Sequence, residues 1–172
     1  MSIAVHIETE GGQKPRMVMC PPLYLSNKVA NNVWMKGGKV DVDRALRQYR
    51  RTRRVLQALG RDVLELPPKK GLQDQMYVAN VGVAIKPYIV LAHYKAAGRP
   101  GEEAVARKFF EKLGYEVVRP PTYFEGEADL KELEPGLFLG GYGQFTDQRT
   151  HDWISDKCGV EIVKLKEINP EL

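Results

Sequence analysis

Two cysteines among 172 residues, Cys20 and Cys158, are too few for a disulfide-stapled scaffold, and neither stands in a CxxC or Cys/His spacing. The three histidines, His6, His93 and His151, are scattered without metal-ligand spacing, so no metal and no cofactor is expected. Long apolar runs are missing, which excludes a membrane-spanning helix. The opening MSIAVHIETEGGQKPR lacks the basic-then-apolar layout of a secretory signal, so a cytoplasmic protein is expected. Neither a Walker GxxxxGK[ST] pattern nor a GxGxxG after a strand is present, and the glycine-rich GGYGQFTDQRT is therefore not read as a nucleotide cradle.

What is present suits one domain spanning residues 1–172, with a hydrophobic fraction of 43% and a charged fraction of 28%. Much of the net charge of +4 comes from RALRQYRRTRR, Arg44 to Arg54. From Asp43 the apolar positions Ala45, Leu46, Tyr49, Val55, Leu56 and Leu59 recur at roughly helical spacing, and Gly60 is expected to stop this helix. Beyond Tyr49 there is no aromatic interleaving for base stacking, so a solvated outer helix face is the better reading than a nucleic-acid surface.

Proline pairs punctuate the chain. RMVMCPP, DVLELPP and YEVVRPP each read as a short strand closed by prolines that cannot extend it. SNKVANNVWMKGGK reads as loop, and DQMYVANVGVAIKPYIVLA as two short strands and a turn. Further helices are expected from about Pro100 to Leu113 and around Thr146 to Lys157, with GLFLGG and VEIVKLKEI as strands. The helix ends repeat: LGRDVLEL, LGYEVVRP and CGVEIVKL each carry a glycine, any residue, an acid and then a strand, with glycines 54 and 45 residues apart. Such periodicity marks an array of one supersecondary unit, here strand, strand, helix, strand.

Carboxylates supply the chemical signal. Asp74 and Asn80 lie six residues apart, and on a regular strand both would face one pocket; the equal alternative is that Asp74 caps a turn and Asn80 begins the next. In YFEGEADL three acids occupy five positions, where a regular strand would set like charges side by side. Gly126 argues for a bend that turns Glu125 and Asp129 into one cavity and Glu127 to solvent; a solvated acidic loop is the plainer alternative. Arg149 offers a fork-shaped donor for a carboxylate.

In their order along the chain, MVMCPP, DQMYVAN, the Arg99–Glu102 helix opening, FEGEAD and GYGQFTDQRT resemble the guanidino-group-modifying superfamily, which includes dimethylarginine dimethylaminohydrolase, arginine deiminase and the amidinotransferases. The resemblance implies an α/β fold, a partial pentein-like α/β propeller of about three ββαβ-type repeats, forming the N-terminal blades. It implies an arginine-like guanidino small molecule as partner, with Glu125 as a catalytic carboxylate and Asp74, Asn80, Asp129, Arg99 and Arg149 as substrate-binding residues. In the family a cysteine thiolate attacks the guanidinium carbon and a histidine serves as acid and base.

The departures are specific. Asn80 stands where many guanidine-directed members have Asp, and GEA replaces a glycine pair. The family's histidine and cysteine follow a strand resembling VEIVKLKEINPEL, beyond Leu172, and Cys20 matches a strand end that is not nucleophilic there. The expectation is a chain inactive by itself, completed by a complementary C-terminal half or by homo-oligomerisation; the alternative is a non-catalytic binding module that self-associates through open sheet edges.

Overall fold

A computed structural model of the protein describes residues 6–7, 15–30, 35–36, 39–96, 99 and 101–168. The chain runs β1 (His6–Ile7), β2 (Arg16–Met19), α1 (Val42–Ala58), β3 (Asp62–Glu65), β4 (Gly82–Ile85), β5 (Tyr88–Leu91), α2 (Glu102–Lys112), β6 (Glu116–Val118), β7 (Leu130–Glu134), β8 (Leu137–Tyr142), α3 (Gln148–Cys158) and β9 (Glu161–Lys166). Among the described residues these make three three-stranded sheets, β1-β2-β3, β4-β5-β6 and β7-β8-β9. In each, an antiparallel pair is followed by a helix and a parallel third strand, with Arg16 opposite Asp62, Tyr88 opposite Glu116 and Leu137 opposite Glu161. The strand, strand, helix, strand unit read from the sequence thus occurs three times.

Local chemistry sets the helix boundaries. Asp41 caps α1 by accepting from the Arg44 amide at 2.8 Å, and Asp147 caps α3 by accepting from the Arg149 amide at 2.9 Å. Glu102 and Glu103 place negative charge in the first turn of α2, and Lys112 places positive charge in its last. Just past the three helices, Gly60, Gly114 and Gly159 all adopt the left-handed conformation, which accounts for the glycine shared by the three repeats.

The sequence reading needs three corrections. Residues 74–80 are not strand: the Tyr77 amide bonds to Asp74 O, the Asn80 amide bonds to Tyr77 O, and Val78–Asn80 form a 3-10 turn. The acidic segment is a 3-10 turn at Gly126–Ala128, and the unanticipated strand β7 follows it; LKELE lacks the β-branched residues that usually signal one. The two-residue strand β1 was also not anticipated. Parts of the expected SNKVANNVWMKGGK loop and of the terminal INPEL lie outside the described residues.

Sheet β4-β5-β6 is covered on both faces, which explains its nearly unbroken apolar sequence. Ile89 and Leu91 join one core with Ala106 and Phe110 of α2 and with Val18 and Leu66 of the first unit. Val83, Ile85 and Val90 join a second core with Ile154 of α3 and with Leu130 and Phe138 of the third sheet. Each of these helices therefore packs on its own sheet and on the one before. Among the described residues no helix covers the far side of sheet β7-β8-β9 in this way, and Leu133, Val163 and Leu165 of that sheet are 58, 43 and 52% exposed.

α1 contributes no fully buried residue, and it meets β3 through Tyr49 Oη donating to Glu65 at 2.5 Å and through the Arg53–Glu65 pair. No helix among the described residues is long and apolar enough to cross a membrane. Phe110→Ala should lower stability by about 3–5 kcal/mol, whereas Leu165→Ala should change it by less than ~0.5 kcal/mol; urea denaturation of both variants measures the contrast.

Candidate functional site

The carboxylate site forms where two 3-10 turns from neighbouring units touch. Gly126 has φ 70°, and a Cβ there would lie 2.7 Å from Ala79 O and 2.7 Å from Gly82 N. Only glycine permits this approach, and the approach brings Glu125 alongside Asn80. Asn80 Nδ2 donates to Glu125 Oε2 at 3.1 Å. Arg99 Nη1 is 3.5 Å from the same oxygen.

Arg99 is nearly enclosed. Its Nη2 donates to Glu102 Oε2 at 2.8 Å, and its guanidinium lies over the Tyr94 ring at 4.5 Å. Tyr94 also donates to Glu102 at 3.3 Å. Burial works against the charge on Arg99, but Tyr94, Glu102 and Glu125 outweigh it and hold the guanidinium firmly protonated. Asp74, 3% exposed, accepts from Gln73 Nε2 at 3.2 Å, and its carbonyl faces Arg99. Gln73 also binds Val29 through both backbone groups, while Gln75 binds Lys69 N and Pro67 O, so two buried amides set the loops around Asp74.

On the other side of Glu125, Thr146 Oγ1 donates to Asp129 Oδ2 at 2.6 Å and accepts from the Glu125 amide at 3.1 Å. Burial pushes the Glu125 carboxyl up to about 7, against the opposing influence of Arg99 and Asn80. Burial likewise raises Asp129 to about 6, with the Thr146 hydrogen bond opposing it. Among the described residues three buried carboxylates, Asp74, Glu102 and Glu125, accompany one buried guanidinium, Arg99. Among the described residues the site thus holds more buried carboxylate than buried cation.

Nucleophilic groups are a different matter. The Cys20 thiol is buried, donates to Pro21 O and is pushed up to about 12 by desolvation first and Glu102 next. Burial raises Cys158 to about 11. His151 is fully buried with Nε2 2.7 Å from Gly141 O, and burial lowers its pKa. His93 Nδ1 lies 3.1 Å from Pro120 O. Among the described residues no hydrogen bond joins a thiol to a histidine, the arrangement an activated cysteine requires.

No family model matches the chain. The dimethylarginine dimethylaminohydrolase of Mycobacterium tuberculosis is 32% identical over 156 residues, covering 90% of this chain and 51% of that protein. The bifunctional arginine dihydrolase/ornithine cyclodeaminase AgrE of Nostoc sp. is 30% identical over 160 residues, covering 90% of this chain and 22% of that protein. Among solved structures, the product-bound N-terminal domain of the cyanobacterial arginine dihydrolase ArgZ matches with a TM-score of 0.85 at 28% identity, over 90% of this chain and 58% of that one. These similarities match the guanidino-group-modifying superfamily.

The chain spans about half the length of the M. tuberculosis relative. Its sequence-predicted residues separate into two groups. Asn80, Arg99 and Glu125 are joined directly, Asp129 joins through Thr146, and Asp74 reaches the cluster through its carbonyl on Arg99. Arg149 lies apart, with its side chain 76% exposed and bound to Asp147 at 2.6 Å, which depresses Asp147 to about 2. Glu127, expected in solvent, is instead 16% exposed and paired with Lys131 at 2.8 Å. Glu102, Tyr94 and Thr146 were not anticipated as site residues; the Arg99–Glu102 spacing of three residues on a helix start was the available signal for the first.

The raised Glu125 links stability to pH. Below its ordinary 4.5 the group is neutral in both folded and unfolded chains. Between 4.5 and about 7 the folded chain keeps a proton that the unfolded chain has lost, so stability falls as pH rises, and the loss is complete above about 7. Glu125→Gln should leave stability near pH 4 little changed and raise it near pH 8 by on the order of 2–3 kcal/mol relative to the parent, as urea midpoints at the two pH values would register.

Proposed function

We propose that this chain forms the guanidinium-gripping part of an enzyme acting on arginine-type compounds. The carrying observation is the clustering of buried carboxylates around Arg99 among the described residues, in a chain whose relatives are named for arginine and dimethylarginine chemistry. A guanidinium presents N–H groups in a planar fork that carboxylates accept in pairs. Asp74, Glu125 and Asp129 would take those hydrogens, with Asn80 offering a neutral carbonyl where its amide group is already given to Glu125. Arg99 fixes Glu125 from behind, and Arg149, from the surface, would reach toward the substrate carboxylate.

In this reading Glu125, titrating near neutrality, exchanges protons during loss of the amine from a covalent adduct. The adduct forms when a thiolate adds to the guanidinium carbon; its collapse breaks a C–N bond, and the departing nitrogen leaves with a proton. Cys20 and Cys158 are unsuited to that attack because their thiols stay protonated at neutral pH. The thiolate and its histidine therefore come from another polypeptide segment. The three ββαβ units would be propeller blades, and a following unit would lay a helix on the open face of the third sheet, as α2 and α3 do on the first and second. The exposed Leu133, Val163 and Leu165 favour a second reading as well, a binding module whose copies associate through that face.

The chain alone should bind L-arginine without releasing ammonia or citrulline, as calorimetry and product assays would establish. Because a bound cation favours ionised Glu125 and Asp129, affinity should rise as pH climbs through about 6 to 7, with protons released on binding. Turnover by the isolated chain would overturn the assignment of the missing nucleophile, and absence of arginine binding at any pH would overturn the guanidino reading.

A further inference from the structure

Thr146 is 1% exposed, and its hydroxyl makes two contacts of opposite kind. A hydroxyl carries one proton; here that proton goes to Asp129 Oδ2 at 2.6 Å. A lone pair of the same oxygen then receives the Glu125 amide hydrogen at 3.1 Å. The direction of the chain of bonds is fixed, because a carboxylate oxygen accepts and a backbone amide can only donate. Amide, hydroxyl and carboxylate thus polarise in one sense, from the Glu125 backbone to the Asp129 side chain.

The surroundings of Asp129 give this hydroxyl its weight. Glu125 faces Asp129 from the preceding turn and Glu167 faces it from beyond the end of β9, both acidic. Lys131, on the adjoining strand, is already paired with Glu127, and Arg99 lies against Glu125. The backbone of Asp129 is held separately, its carbonyl accepting from the Gly141 amide at 2.9 Å.

We propose that Thr146 is a positioning residue of the guanidinium site, its single hydroxyl keeping Asp129 ionised and anchoring the Glu125 backbone so that the two carboxylates act as a pair. The assignment rests on the guanidino reading for its purpose, but its physical content does not depend on any ligand. Valine has threonine's shape and lacks both the proton and the lone pair; serine keeps both.

The experiment follows the Asp129 carboxyl carbon by NMR through a pH titration of the full chain, in the parent, Thr146→Val and Thr146→Ser. The parent should titrate near 6. Thr146→Val should titrate higher by about one pH unit or more, a ten-fold gain in proton affinity, while Thr146→Ser stays near the parent. An unchanged Asp129 titration in Thr146→Val overturns the proposal. If Thr146→Val does not fold, the parent decides: a slowly exchanging Thr146 hydroxyl proton coupled to Asp129 above about pH 7 supports the proposal, and its absence overturns it.

L-arginine binding to the same variants should follow the carboxyl titration, with Thr146→Val losing about three-fold in affinity near pH 6.5 and approaching ten-fold below about pH 5. A parent that fails to bind arginine but keeps the titration difference removes the guanidino reading and leaves the Thr146 link standing. A parent that binds, beside a Thr146→Val with the parent's pH profile, removes the link and leaves the reading.

Discussion

Everything about the site follows from the cost of taking carboxylates out of water with too few cations to match them. Glu102 and Glu125 share one guanidinium, Arg99, and among the described residues neutral donors add to it: Asn80 to Glu125, Tyr94 to Glu102 and Gln73 to Asp74. Neutral hydrogen bonds only partly compensate a desolvated charge, so the acids sit above their ordinary pKa. Such an arrangement lowers stability at neutral pH unless a positive ligand arrives. That is a familiar cost of preorganised binding sites, which hold groups where a ligand needs them and not where the free chain would prefer them.

Arg99 illustrates why family resemblance and geometry answer different questions. The resemblance assigns it to the substrate, and its position in the helix opening suits that role. Its guanidinium is nonetheless already committed, to Glu102 at 2.8 Å and to the face of Tyr94. Within this chain it acts first as an internal counterion, supporting Glu125 from the protein side.

The fold was legible where short-range chemistry decides it. Helix caps, left-handed glycines and proline-terminated strands are written in neighbouring residues, and the three-fold recurrence of one unit followed from them. The site was half legible. Gly126 correctly signalled a break between Glu125 and Asp129, but residues 74–80 misled because their apolar composition suits a strand while their hydrogen bonds close turns. Thr146 left no trace in its own sequence neighbourhood: its importance arises from two partners some twenty residues earlier, brought to it by tertiary packing. Arg149 looked informative for its side-chain type, yet its nearest anion, Asp147, is two residues away.

The contact between the two 3-10 turns also ties binding geometry to the assembly of the units. Asn80 precedes the first strand of the second sheet, and Glu125 precedes the first strand of the third. Their 3.1 Å hydrogen bond therefore spans the boundary between two units, at a point where Gly126 leaves no room for even one more carbon. The boundary behaves as a caliper: any tilt of the third unit against the second would open or crush that gap along with the hydrophobic core the two units share.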